Sequence, residues 1–167
     1  MSKARALVDD LKRCGGYWAP SLDPLIEMAP DFVEAYVAFA AHPCRSRHLS
    51  AKAKSFVGLA VHAAVTHLHE PGVRLYTRAA LDAGASVEEI IEVLELTTTL
   101  GVHACVFAVP ILVDVLGGVP AARPGEEAER ERLKADFIAR RGYWNDTLWA
   151  GLLALDPAYF EAFTAFS

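Results

Sequence analysis

The sequence predicts an all-α protein, and three observations carry that expectation. Apolar residues recur at three- and four-residue spacing, as at Phe32, Val33, Tyr36, Val37 and Ala40. Helix-start chemistry precedes a periodic run, as in the capping box Ser86-Val87-Glu88-Glu89 ahead of Ile90, Ile91, Leu94 and Leu96. No hairpin signal and no sustained alternation of apolar and polar residues is present.

Each element has its own signal. Residues 3–14 read as a first helix, ended by Gly15-Gly16. Pro20, Pro24 and Pro30 punctuate a connector with room for one short helix. An aromatic-rich helix runs from Asp31 to Ala41, and Pro43 is expected to end it. Ser50 caps the next helix, which reads as apolar nearly all round to Glu70. Pro71-Gly72 then breaks it, and a restarted helix runs to Gly84. The capping-box helix follows, then another apolar helix from Gly101 to Leu116. Gly117-Gly118, Pro120 and Pro124 form a linker, and a charged helix spans Glu126 to Arg141.

Composition narrows the function classes. A chain of 167 residues is one domain's worth, and 53% hydrophobic with 22% charged residues excludes disorder. The net charge of −5 and the lack of a basic face argue against nucleic acid as partner. Cys14, Cys44 and Cys105 form no CxxC pair and no zinc spacing, and so sparse a set suggests a reducing compartment. The longest apolar stretch, Gly101 to Val113, holds His103 and Pro110 and falls short of a membrane span. No signal-peptide pattern is seen, so the expectation is a soluble cytoplasmic protein.

One repeat organises the ends of the chain. Gly16-Tyr17-Trp18 recurs as Gly142-Tyr143-Trp144, and the run Pro30 to Phe39 recurs from Pro157 to Phe166. The domain reading is therefore a module over 1–118, a linker and charged helix over 119–141, and a partial repeat of the module's opening over 142–167. The apolar stripe of Tyr159, Phe160, Phe163 and Phe166 needs cover, and docking on another subunit is the expected solution.

The stretch Leu49 to Leu116, about two fifths of the chain, resembles the carboxymuconolactone decarboxylase and alkylhydroperoxidase D-like family. The matching blocks are Lys54 to Val61, Thr77 to Ser86 and Glu88 to Leu96, with Gly101 following. The resemblance implies an all-α, alkylhydroperoxidase D-like helical bundle that forms intertwined homo-oligomers. Its peroxidase branch carries CxxC with a downstream His and an upstream Glu. Its decarboxylase branch works on a lactone acid without a cofactor. On the family's pattern the two cysteine positions fall on His69 and Gly72, the downstream His on Tyr76, and the upstream Glu on Ser55. Thiol peroxidase chemistry is thereby set aside, because the thiolate is its nucleophile.

Other chemistry-bearing residues crowd the same span. His62 and His69 are seven apart and would share a helix face. His69 is the candidate general acid or base, Tyr76 a hydrogen-bond donor, and Glu70 a further catalytic carboxylate. Arg74 is the candidate carboxylate clamp, with the alternative that it merely pairs with Glu70 four residues away. His67 and His103 complete the substrate-binding candidates; His67 alternatively serves at an interface or as a cap, and His103 as a core histidine. No metal is expected: on a continuous helix the rings of His67 and His69 would point about 160° apart. No cofactor is expected either.

The resulting functional expectation is a cofactor-independent enzyme that decarboxylates or isomerises a small cyclic or unsaturated carboxylic acid or lactone. Its rivals are a non-catalytic oligomeric relative with a decayed site, and a subunit completed by another chain.

Overall fold

The computed structural model describes residues 2–101 and 103–166, the last by its backbone alone. The described residues form helices and turns without strands, so the fold is all-α. The helices are α1 (Lys3–Arg13), α2 (Leu25–Met28), α3 (Pro30–Arg45), α4 (Ala51–Ala63), α5 (Glu70–Asp82), α6 (Val87–Thr97), α7 (His103–Val115), α8 (Glu127–Arg141), α9 (Trp149–Leu155) and α10 (Pro157–Phe166). They fall into two compact units, one ending at Lys54 and the other beginning at Ser55.

In the first unit α1 packs along α3. Ala4, Val8 and Leu11 meet Val33, Val37 and Ala41, with Trp18 and Ile26 closing the cluster. Pro43 does not end α3, which continues to Arg45. A proline in the last turn forfeits one hydrogen bond but keeps a helical φ. The α3 end is tied down besides: Arg45 pairs with Asp10 of α1, and the Lys54 ammonium donates to the Cys44 carbonyl at 2.7 Å and to that of Ser46. A cation at these carbonyls also opposes the negative end of the helix dipole.

The second unit has one core, built from Leu59, Val73, Ile90, Leu94, Val109, Leu112, Phe137, Leu152 and Phe160 among others. The capping box is formed in full: the Glu89 N–H donates to Ser86 Oγ at 3.1 Å, and the Ser86 N–H donates to Glu89 Oε2 at 2.9 Å. Helix α4, expected to reach Glu70, stops at Ala63. Residues 64–69 are irregular, and this difference determines the candidate site.

The repeated sequence blocks fold alike. Helix α1, then Tyr17-Trp18, α2 and the Pro30-started α3 parallel α8, then Tyr143-Trp144, α9 and the Pro157-started α10. Trp18 and Trp144 each donate the indole N–H to a following aspartate, Trp18 to Asp23 at 2.9 Å and Trp144 to Asp146 at 2.7 Å. Phe160 is fully buried by its own chain, against Phe137, Trp144 and Trp149, where the sequence reading had it on a second subunit. Phe163 stacks on Trp149 with centroids 5.4 Å apart; the Phe166 side chain lies outside the described residues.

A carboxyl group near the end of α6 is half-buried. Burial, then Asp156 and Glu92, raise Glu95 from 4.5 to about 7, and its Oε1 has no hydrogen-bond partner. Cys105 and Tyr159 face the same space, and the Tyr159 hydroxyl lies 2.9 Å from Thr98 Oγ1.

Two outcomes are expected. Phe160→Ala should cost about 3–5 kcal/mol, seen in chemical denaturation, because no partner subunit is needed to bury this ring. Glu95 binds a proton more tightly when folded than when unfolded. Stability should therefore fall as pH rises from about 4.5 to about 7. Melting temperatures across that range should show the fall, and Glu95→Gln should flatten it.

Candidate functional site: a histidine cluster between two helices

The site is built where α4 ends. The Ala64 carbonyl accepts from the His67 N–H at 2.8 Å and from the Leu68 N–H at 2.9 Å, which curls the chain back. The His69 N–H then donates to the His62 carbonyl at 2.8 Å and closes the loop. The reversal forces Leu68 into the left-handed region at φ 46°. That conformation costs a branched side chain roughly 1–3 kcal/mol and persists only where its surroundings impose it.

His69 is not in a helix; it is the N-cap of α5. Its Nδ1 accepts the Gly72 N–H at 3.2 Å, satisfying one of the four unpaired donors of the helix start. Pro71 follows in the first turn of α5, where its missing N–H is not needed. The expected break at Pro71-Gly72 thus lies earlier, across residues 64–69.

The consequence is convergence. The ring centroids of His62 and His67 are 5.1 Å apart, those of His62 and His69 5.4 Å, and those of His67 and His69 5.1 Å. The opposed orientation expected for His67 and His69 is corrected, since it assumed a helix that is not there. Tyr76 reaches the cluster from α5, its centroid 5.1 Å from that of His62.

Two glycines make the room. A Cβ on Gly72 would lie 1.8 Å from His62 Cδ2, and one on Gly58 would lie 2.5 Å from the Tyr76 ring. His62 Nδ1 lies 2.8 Å from the Gly58 carbonyl, so this nitrogen carries the hydrogen and Nε2 the lone pair. Burial pushes the His62 imidazole below its ordinary range, partly offset by the Gly58 carbonyl; His67 and His69 push it further down. His62, whose ring lies within 5.4 Å of those of His67, His69 and Tyr76, is therefore the centre of the cluster. Its signal in the sequence was Gly58 four residues before it, and Gly72.

The remaining candidates lie apart. Arg74 Nε donates to Glu70 at 2.9 Å, and its Nη1 pairs with Asp114. Asp114 and then Glu70 hold the guanidinium above its ordinary range. A cleft of about 370 Å³ beside Asp114 is lined by Asp146, Pro110, Val113 and Thr147 as well, and two carboxylates there oppose an acidic ligand. His103 is exposed at the start of α7, neither in the core nor in the cluster. Burial drives the Cys105 thiol up to about 12, which leaves no thiolate at neutral pH.

A family model, the carboxymuconolactone decarboxylase family, matches residues 30–114, the span that holds the whole cluster. The chain belongs to the carboxymuconolactone decarboxylase family. It is similar to a crystal structure from Burkholderia xenovorans LB400 of a protein named as a candidate gamma-carboxymuconolactone decarboxylase subunit. Identity is 44% over 99% of this chain and 67% of that one, with a TM-score of 0.53. No curated protein matches the chain. Among the described residues, no helix is long and apolar enough to cross a membrane.

Gly72→Ala tests the geometry. In an open helix position this change gains up to about 1 kcal/mol. Here it should lower the melting temperature and shift the His62 ring resonances in NMR spectra. An unchanged or raised melting temperature would show that the ring is not held against Gly72.

Proposed function

We propose that this chain is an acid/base enzyme of the carboxymuconolactone decarboxylase type, acting on a small cyclic or unsaturated carboxylic acid or lactone. The supporting observation is the convergence of His62, His67, His69 and the Tyr76 ring within the span matched to the family. In such a reaction the bond from carbon to the carboxylate breaks and carbon dioxide leaves. The electron pair passes into the unsaturated lactone, and an imidazolium returns a proton to carbon. His69 is the assigned proton donor and acceptor, and the Tyr76 hydroxyl serves the oxygen that gains negative charge. An imidazolium of the cluster also attracts the substrate carboxylate. Glu70, expected from the sequence as a catalytic carboxylate, is assigned here instead as a positioning residue that accepts from Arg74 Nε.

Assembly belongs to the same proposal. Val57, Val61, Leu96 and Leu100 are all more than half exposed, and a second copy of the chain would cover them. The relative named as a subunit supports that reading.

The engagement of Arg74 by two carboxylates favours one rival, a non-catalytic family member, since it withholds the cation that would clamp an acid. Kinetics separate the two. Metal-free protein mixed with gamma-carboxymuconolactone should release carbon dioxide. His69→Ala should lower kcat about 10²–10⁴-fold. Arg74→Ala should raise KM with kcat unchanged if the guanidinium turns from Asp114 to the substrate. No release from this or related lactone acids, or a His69→Ala variant with full kcat, would sink the assignment.

A further inference from the structure

We propose that His62, His67 and His69 form a three-histidine binding site for a divalent transition metal of the class that imidazole nitrogens select, such as zinc, cobalt, nickel or copper. Each histidine offers one ring nitrogen, and these atoms all lie within 4.8 Å of one another. In a tetrahedral site with metal–nitrogen bonds of about 2.0–2.1 Å, the nitrogens are about 3.3 Å apart. Closure therefore asks for ring movements of about 1 Å or so, well inside the reach of a side-chain rotation.

The arrangement has further marks of a metal site. The three centroid separations, 5.1, 5.4 and 5.1 Å, describe a nearly equilateral triangle of rings about a common centre. His62 is oriented from behind by the Gly58 carbonyl, the kind of outer contact that fixes which nitrogen faces a metal. His67 is exposed and gives an ion a way in, while His62 and His69 are half-buried. Three protein nitrogens also leave a fourth position for water or another ligand.

One contact opposes the metal. The lone pair on His69 Nδ1 accepts the Gly72 N–H, and a metal on that nitrogen must displace it. At 3.2 Å that bond is long, so its loss weakens the site without abolishing it. The left-handed Leu68 stands between two of the three ligands, whose rings lie 5.1 Å apart.

The inference does not rest on the decarboxylase reading, and the experiment needs no substrate. Tag-free protein stripped with EDTA is titrated with cobalt(II), and the visible band of a four-coordinate ion is recorded; zinc is then measured by competition. One equivalent of cobalt should bind with that band. Zinc should raise the melting temperature by several degrees when it is well above its Kd. His67→Ala, an exposed change that leaves the core alone, should raise Kd at least tenfold, as should His62→Ala and His69→Ala. His103→Ala should leave Kd unchanged. Absence of the band in the wild type overturns the site, as does a His67→Ala variant that binds like the wild type. Failure of carbon dioxide release, with the band intact, would touch only the proposed reaction.

Discussion

One backbone hydrogen bond sets the geometry of the candidate site. The His69 N–H reaches back to the His62 carbonyl at 2.8 Å and closes residues 62–69 into a tight reversal. Had α4 continued to Glu70, that carbonyl would have accepted from the N–H four residues on, and His67 and His69 would have faced apart. The closure exchanges ladder hydrogen bonds for loop ones and accepts a left-handed Leu68. It also hands the start of α5 to His69 as a cap, so the same imidazole ends the loop and begins the helix. Three rings meet because the chain must bring both ends of one short loop together.

The glycines follow from that closure. Gly72 sits where the His62 ring crosses the first turn of α5, and Gly58 sits under the Tyr76 ring. At neither position is positive φ the reason; what glycine supplies is the missing Cβ. A methyl group at either position would displace an aromatic ring from the cluster. Ordinary helix propensity, which penalises glycine in these helices, is overridden by the site. Where local rules and the fold disagree in this way, the conflict itself points to a site of use.

Much of the fold was legible in the sequence. The caps and periodicity of α1, α6 and α8 are local properties, written in Gly15, in the Ser86–Glu89 box and in the charge pattern before Gly142. The repeat was legible too, because buried residues recur with it: Leu11 and Phe137 are both buried, as are Val33 and Phe160. The end of α4 was not legible. Ala63, Ala64 and Val65 carry no stop signal, and the signal at Pro71 comes eight residues after α4 ends at Ala63. The reversal is closed by contacts outside that stretch, the His69 N–H on the His62 carbonyl and Val65 beside Gly101. The fate of Arg74 was hidden for a similar reason. Asp114 lies 40 residues away in sequence, and only the packing of α5 on α7 makes it a partner.

With three imidazoles and no CxxC pair, the loop holds a different kind of chemistry from a thiol site. A thiolate gives electrons to a peroxide and must then be reduced. An imidazole near neutrality gives or takes a proton and is unchanged after the cycle. The same nitrogen lone pairs that would move a proton are those that would hold a metal, and a lone pair cannot do both at once. Proton transfer and metal binding at this cluster are therefore alternatives, decided by which ion arrives. Metal affinity requires unprotonated rings, and the half-buried His62 is already biased toward its neutral form by desolvation. The exposed His67 sits closer to solvent, where a proton or a metal meets it first. The rings thus differ by depth: burial biases the inner His62 toward its neutral form and the Gly58 carbonyl orients it, while the outer His67 is open to solvent.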